Sequence, residues 1–166
     1  ISLDCTVLTP MFLGGAEQEA ALSTAPFKAA LRYWWRVSGV HDAKTPEDLF
    51  RKESELFGAA DEKIGKSQIS VGVSGNPADS KQQLPSPGPP IPHPEVNFKG
   101  VKTIDALSYL GGMGILRPDR NVKKKYFPAG GRFNLQVAAA QPHLKLIAPA
   151  LGLIRQFGTF GSRSRN

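Results

Sequence analysis

The chain has 166 residues, a formal charge of +7 and a single cysteine, so it is long enough for one domain with a real core and it excludes an internal disulfide. The lone cysteine agrees with a reducing cytoplasm, and no continuous apolar span is present to cross a membrane. Residues 1 to 98 hold 9 Lys/Arg and 12 Asp/Glu, a net of −3, whereas residues 99 to 166 hold 12 and 2, a net of +10. The C-terminal part is therefore the one expected to face a polyanion, with nucleic acid a better fit than an anionic lipid surface.

Residues 1 to 9 read as a strand with Leu3, Cys5 and Val7 on one face, closed by Thr9-Pro10. Cys5 is expected to pack there. In the following loop Gly14 and Gly15 allow close backbone approach to a neighbour or a phosphate. The first helix is expected from about Ser23, with Pro26 in its first turn. On it Phe27, Ala30, Leu31 and Trp34 form an apolar stripe. Lys28, Arg32 and Arg36 stack at i, i+4 and i+8 along another. Trp35, next to Arg36, can lie flat against a base or simply under a guanidinium. Trp34 reads as core, while the cations are either an anion site or a solvated face.

A second helix is expected to start at Thr45-Pro46-Glu47-Asp48, a variant of the capping box, with Leu49, Phe50, Leu56 and Phe57 on its apolar side and Gly58 at its end. Glu53 and Glu55 read as solvent-exposed. Ile69, Val71 and Val73 alternate as a strand. Residues 85 to 94 are too rich in proline for a ladder or a helix and read as an exposed connection or an insertion. Residues 104 to 110 are a short strand or helix. Residues 117 to 125, with Lys123, Lys124 and Lys125, form a basic loop that either meets RNA or keeps the protein soluble. Phe133, Leu135 and Val137 alternate as another strand. Residues 142 to 157 form a third helix that Pro149 must kink or restart. Gly158 ends it, and Gly161-Ser162-Arg163-Ser164-Arg165 follows as a basic loop, either an anion site or a frayed terminus.

The order strand, helix, strand, strand, helix predicts an α+β, ferredoxin-like (RRM-like) split βαβ sheet with helices on one face and a long Pro-rich and basic insertion. Residues 1 to 166 are expected to be one domain. Its fourth strand lies near Leu107 or beyond Asn166. His41, His93 and His143 are far apart, and no His/Cys pair has ligand spacing, so no metal or cofactor is expected. General acid–base work by a histidine stays open as an alternative.

The strings Thr9-Pro10-Met11-Phe12-Leu13-Gly14-Gly15, Pro26-Phe27-Lys28-Ala29-Ala30-Leu31-Arg32-Tyr33-Trp34-Trp35-Arg36, Leu56-Phe57-Gly58 and Phe157 through Arg165 resemble the RAMP superfamily. More narrowly, they are similar to the first-subunit family of the Cmr module, the type III-B CRISPR effector. The resemblance implies a non-catalytic, RNA-recognition-like subunit of an antiviral ribonucleoprotein. Such a subunit touches guide CRISPR RNA toward its 3′ end, helps engage target RNA and partners with other Cmr subunits. It also implies that Lys28, Arg32, Arg36, Arg163 and Arg165 line the RNA-facing surface, with Gly14, Gly15 and Gly161 permitting close approach. Members commonly carry a second similar domain, so the chain reads as truncated or diverged. The rival expectations are a metal-independent RNA-processing endoribonuclease of the same superfamily and a protein-only assembly subunit.

Overall fold

Helix α1 spans Thr24–Ser38, and its buried stripe is Phe27, Leu31 and Trp35, each 2 % exposed. The i, i+4, i+8 spacing puts all three on one face. The helix stops at Gly39, whose φ of 67° is left-handed and favours glycine. Helix α2, Pro46–Phe57, starts as expected: Thr45 Oγ1 accepts from the Asp48 backbone N–H at 3.2 Å, with Pro46 in the first turn. Helix α3, Gln141–Phe157, continues through Pro149, so the proline does not restart it. Both Pro149 and Lys145, whose carbonyl the proline leaves without a helical donor, are exposed, so water can serve that oxygen.

These elements belong to a computed structural model that describes residues 1–14, 19–59, 65–75, 91–92, 103–104 and 125–161. The strands are β1 (Ser2–Thr6), β2 (Ser70–Ser74), β3 (Ile91–Pro92), β4 (Thr103–Ile104) and β5 (Arg132–Ala138). The chain divides into two compact units. The first comprises Ile1–Cys5, Ser23–Gly75 and Phe133–Thr159; the second comprises Thr6–Leu22, Asn76–Arg132 and Phe160–Asn166.

The first unit is a mixed α/β body around a three-stranded antiparallel sheet of order β1-β5-β2. β2 pairs with β5 from Ser70↔Ala138 to Ser74↔Asn134. Beside β1, Ile1 and Val137 exchange reciprocal N–H···O bonds of 2.9 Å, the signature of an antiparallel pair. Strands β1 and β2 therefore run parallel to each other with β5 reversed between them. β5 alternates strictly, with Phe133, Leu135 and Val137 buried. Val137 joins Leu31, Trp35, Leu56, Phe57, Ile69, Ile147 and Ala150 in one core, and the Phe27 and Phe133 rings meet at 5.5 Å. α1 packs most extensively on α3. β1 and β2 are the two outer strands of this sheet; on β1 Leu3 is exposed, as is the preceding Ile1, and Cys5 is half-buried, where burial and then the neighbouring Asp4 charge push its thiol pKa up, away from reactivity.

In the second unit Met11 bridges Phe127 antiparallel, and Gly14 bridges Ala20. Val7, Met11, Leu13, Tyr126 and Phe127 are buried, and the Phe12 and Tyr126 rings lie 5.2 Å apart. β3 and β4 pair antiparallel, Ile91↔Ile104 and Pro92↔Thr103. This ladder corrects the expectation that the proline tract holds none; a two-residue strand tolerates proline because few of its N–H groups are needed. The rest of that tract, and residues 105 to 124, lie outside the described residues.

Candidate nucleic-acid interface

Lys28, Arg32 and Arg36 do form one stripe on α1, beside the buried one. Its electrostatics differ from the expectation, because Glu53 of α2 reaches it. Arg36 Nε donates to Glu53 Oε2 at 2.6 Å and Nη2 to Oε1 at 2.7 Å, a bidentate fork. Arg32 Nε donates to the same Oε1. The Glu53 side chain is 6 % exposed, whereas those of Arg32 and Arg36 are 34 % and 45 % exposed. The reading of Glu53 as a solvated carboxylate is thus corrected: Leu49, Glu53, Leu56 and Phe57 share one face of α2, which turns toward α1. The cluster carries one surplus positive charge, with both guanidinium groups held in place and still reaching solvent. Among the described residues Lys28 has no ion-pair partner.

Burial by itself would raise the Glu53 pKa, but the hydrogen bonds from Arg36 and Arg32 and their charges outweigh it and hold this carboxylate below its usual range. The Glu53 bond in turn raises Arg36 further. A carboxylate whose pKa is lower in the folded than in the unfolded state contributes stability above the unfolded value and loses it as pH falls through the folded one. Melting temperature is therefore expected to stay level from neutral pH down to about 5 and to fall below about 4, with a smaller acid loss in Glu53→Gln. Equal acid profiles for the two proteins would contradict this.

The structure corrects the reading of Trp35, while Trp34 packs against the core only in part. Trp35 is a core residue: its ring meets His41 at 5.0 Å and Phe57 edge-on at 5.7 Å, so no face is open for a base. Trp34 is half-buried, stacked on Phe157 at 6.1 Å and met edge-on by Tyr33 at 5.3 Å. Tyr33 and Phe157 are 55 % and 61 % exposed. The sequence reading missed this exposed aromatic row; its signal was Tyr33 and Phe157, each beside a basic-and-apolar helix pattern.

Gly14 and Gly161 do mark close backbone approach, but to the chain itself. A Cβ on Gly14 would strike the Glu19 carbonyl, and one on Gly161, where φ is 108°, would lie 3.2 Å from the Phe12 backbone. Lys125 pairs with Glu19. Gly15, Lys123, Lys124, Arg163 and Arg165 lie outside the described residues, as does His93. His41 and His143 line a common cavity with Trp35. Among the described residues no group of three or more His, Cys, Asp or Glu could hold a metal, and no helix is long and apolar enough to cross a membrane.

A basic, arginine-bearing helix packed on an antiparallel sheet defines an α/β module, and its lineage follows from comparison. The RAMP superfamily model matches residues 4–166, so the chain belongs to the RAMP superfamily. Its fold is similar to that in the crystal structure of Cmr1 from Pyrococcus furiosus in the apo form, with a TM-score of 0.62 and 19 % sequence identity. That match covers 99 % of this chain and 46 % of the Cmr1 chain, so this chain spans about half of it. No curated protein sequence matches the chain.

Proposed function

We propose that this chain acts as a non-catalytic RNA-binding subunit of a type III-B CRISPR (Cmr) ribonucleoprotein in the cytoplasm. It contacts guide RNA toward its 3′ end, helps engage target RNA and binds the other Cmr subunits. Membership of the RAMP superfamily and the fold shared with Cmr1 support this reading. The ferredoxin-like arrangement is part of the proposal; the β1-β5-β2 order with α1 following β1 supports it. So are a single RAMP domain over residues 1 to 166 and a second one outside them.

The observation that carries the proposal is the Glu53-braced pair of arginines beside Lys28. Arg32 and Arg36 each keep guanidinium N–H groups not given to Glu53, and both are partly exposed, so a phosphate oxygen can complete their hydrogen bonding. Lys28 adds a mobile point charge one turn away. Lys123, Lys124, Lys125, Arg163 and Arg165 extend the phosphate contacts in this proposal, and Tyr33, Trp34 and Phe157 take over from Trp35 as the stacking row. Binding is then mainly to the backbone and tolerant of sequence.

Fluorescence anisotropy with labelled single-stranded RNA tests this. Three phosphate contacts from α1 alone, at a slope of about 0.7 each, predict a roughly tenfold or greater loss of affinity between about 50 and 200 mM salt. Affinity that stays flat over that range contradicts the proposal. Nuclease-treated protein that captures Cmr subunits while ignoring RNA replaces it with the protein-only assembly role.

A further inference from the structure

We propose that a cavity in the first unit, where the C-terminal end of α1 meets α2 and α3, receives a single nucleobase turned out of an RNA strand. This rests on the RNA-binding reading above. The cavity measures about 290 Å³, at or just under the lower end of the ~300–1,000 Å³ common for small-molecule sites. That size holds one ring system with ease.

The walls match the chemistry of a base. Val40, Leu56 and Leu146 supply apolar surface for the flat faces. Trp35 lines the same cavity, is 2 % exposed, and carries a buried indole N–H with no acceptor. His143, also in the lining, has a buried Nδ1 with no partner. Neither atom has a hydrogen-bond partner among the described residues, and a base edge that offers a carbonyl oxygen or ring nitrogen supplies the acceptor the indole N–H lacks.

The other polar groups of the lining are already engaged: Glu55 accepts from Arg51 at 2.8 Å. His41 Nδ1 accepts from the Ala43 N–H at 3.0 Å, which leaves Nε2 to donate to the Arg36 carbonyl at 3.0 Å. Lys52 Nζ donates to the His41 and Asp42 carbonyls at 2.9 and 3.3 Å and pairs with Asp48 at 3.0 Å, tying the turn after α1 down onto α2. The site is therefore preformed. Because every base presents an acceptor, occupancy is expected to show little preference among the four. Arg36, whose carbonyl accepts from His41 of the lining, follows Trp35 in the chain, so the guanidinium proposed above to meet phosphate belongs to the same end of α1 as the cavity.

The test uses the full ¹⁵N-labelled chain, with the two indole N–H resonances assigned through Trp34→Phe. Short oligouridylate and oligoadenylate are expected to shift the Trp35 resonance, saturating with the binding seen by anisotropy. An abasic strand of equal length is expected to bind and leave it in place. Leu146→Phe, which fills the cavity from a half-open wall, is expected to abolish the shift and leave abasic binding unchanged. Strands that bind with the Trp35 resonance unmoved overturn the cavity proposal while the RNA-binding reading stands. If no strand binds but a nucleoside monophosphate shifts Trp35, the cavity takes free nucleotide and the RNA reading falls; no shift from either overturns the cavity proposal.

Discussion

Replacing Arg32 and Arg36 together with glutamine is expected to lower the unfolding free energy by about 2–3 kcal/mol, before any RNA is considered. The double change leaves the Glu53 carboxylate, only 6 % exposed, without its two guanidinium partners. Breaking a fully buried pair costs about 3–5 kcal/mol, and the partial exposure of both arginines reduces that figure through solvent screening. For a chain of this length the change corresponds to a fall of roughly 5–10 °C in melting temperature. Adding Glu53→Gln removes the stranded charge and is expected to restore at least half of the loss, a coupling that a mutant cycle measures directly. Urea melts in which the double variant matches the parent would show that Glu53 does not depend on these arginines. The same cycle separates folding from binding: only the rescued triple variant reports on RNA without a damaged scaffold.

The second large effect separates the adjacent tryptophans. Trp35→Ala empties a site closed by Phe57, His41 and the core around Ile147, and is expected to cost about 3–5 kcal/mol. Trp34→Ala removes a half-buried ring and its stacking on Phe157, worth about 0.5–1.5 kcal/mol beyond the area lost. It is expected to cost at most half as much as the Trp35 change. Denaturant midpoints with unchanged slope measure both. Equal costs, or the reverse order, would contradict the packing described.

That contrast shows where the sequence was legible and where it was not. The alternation of Phe133, Leu135 and Val137, the Thr45 cap and the stop signal at Gly58 act locally, and β5 and α2 follow from them. On α1 the apolar residues satisfy two overlapping helical faces, one through Trp34 and one through Trp35, set about a quarter turn apart. Which face is buried depends on where α2 and α3 cross, and that information lies in Phe57, Ile147 and Ala150 rather than in α1 itself.

Glu53 was harder for the same reason. A carboxylate spaced four residues from both Leu49 and Phe57 sits on an apolar face, and the only sequence sign of its purpose is a pair of arginines on another helix. That Lys28, Arg32 and Arg36 share one stripe of α1 follows from spacing alone, whereas the bracing of the two arginines does not. Glycine at 14 and 161 signals room for a close neighbour, but a sequence does not say what approaches; here the Glu19 carbonyl and the Phe12 backbone do.

The α1 cations as phosphate contacts are tested most directly by the salt dependence of single-stranded RNA affinity, measured side by side for the parent chain and for the refolded Arg32→Gln, Arg36→Gln, Glu53→Gln variant. Loss of two phosphate contacts predicts a slope of log affinity against log salt that is shallower by about 1.4. Identical slopes in two equally folded proteins would place the RNA, if bound at all, away from α1.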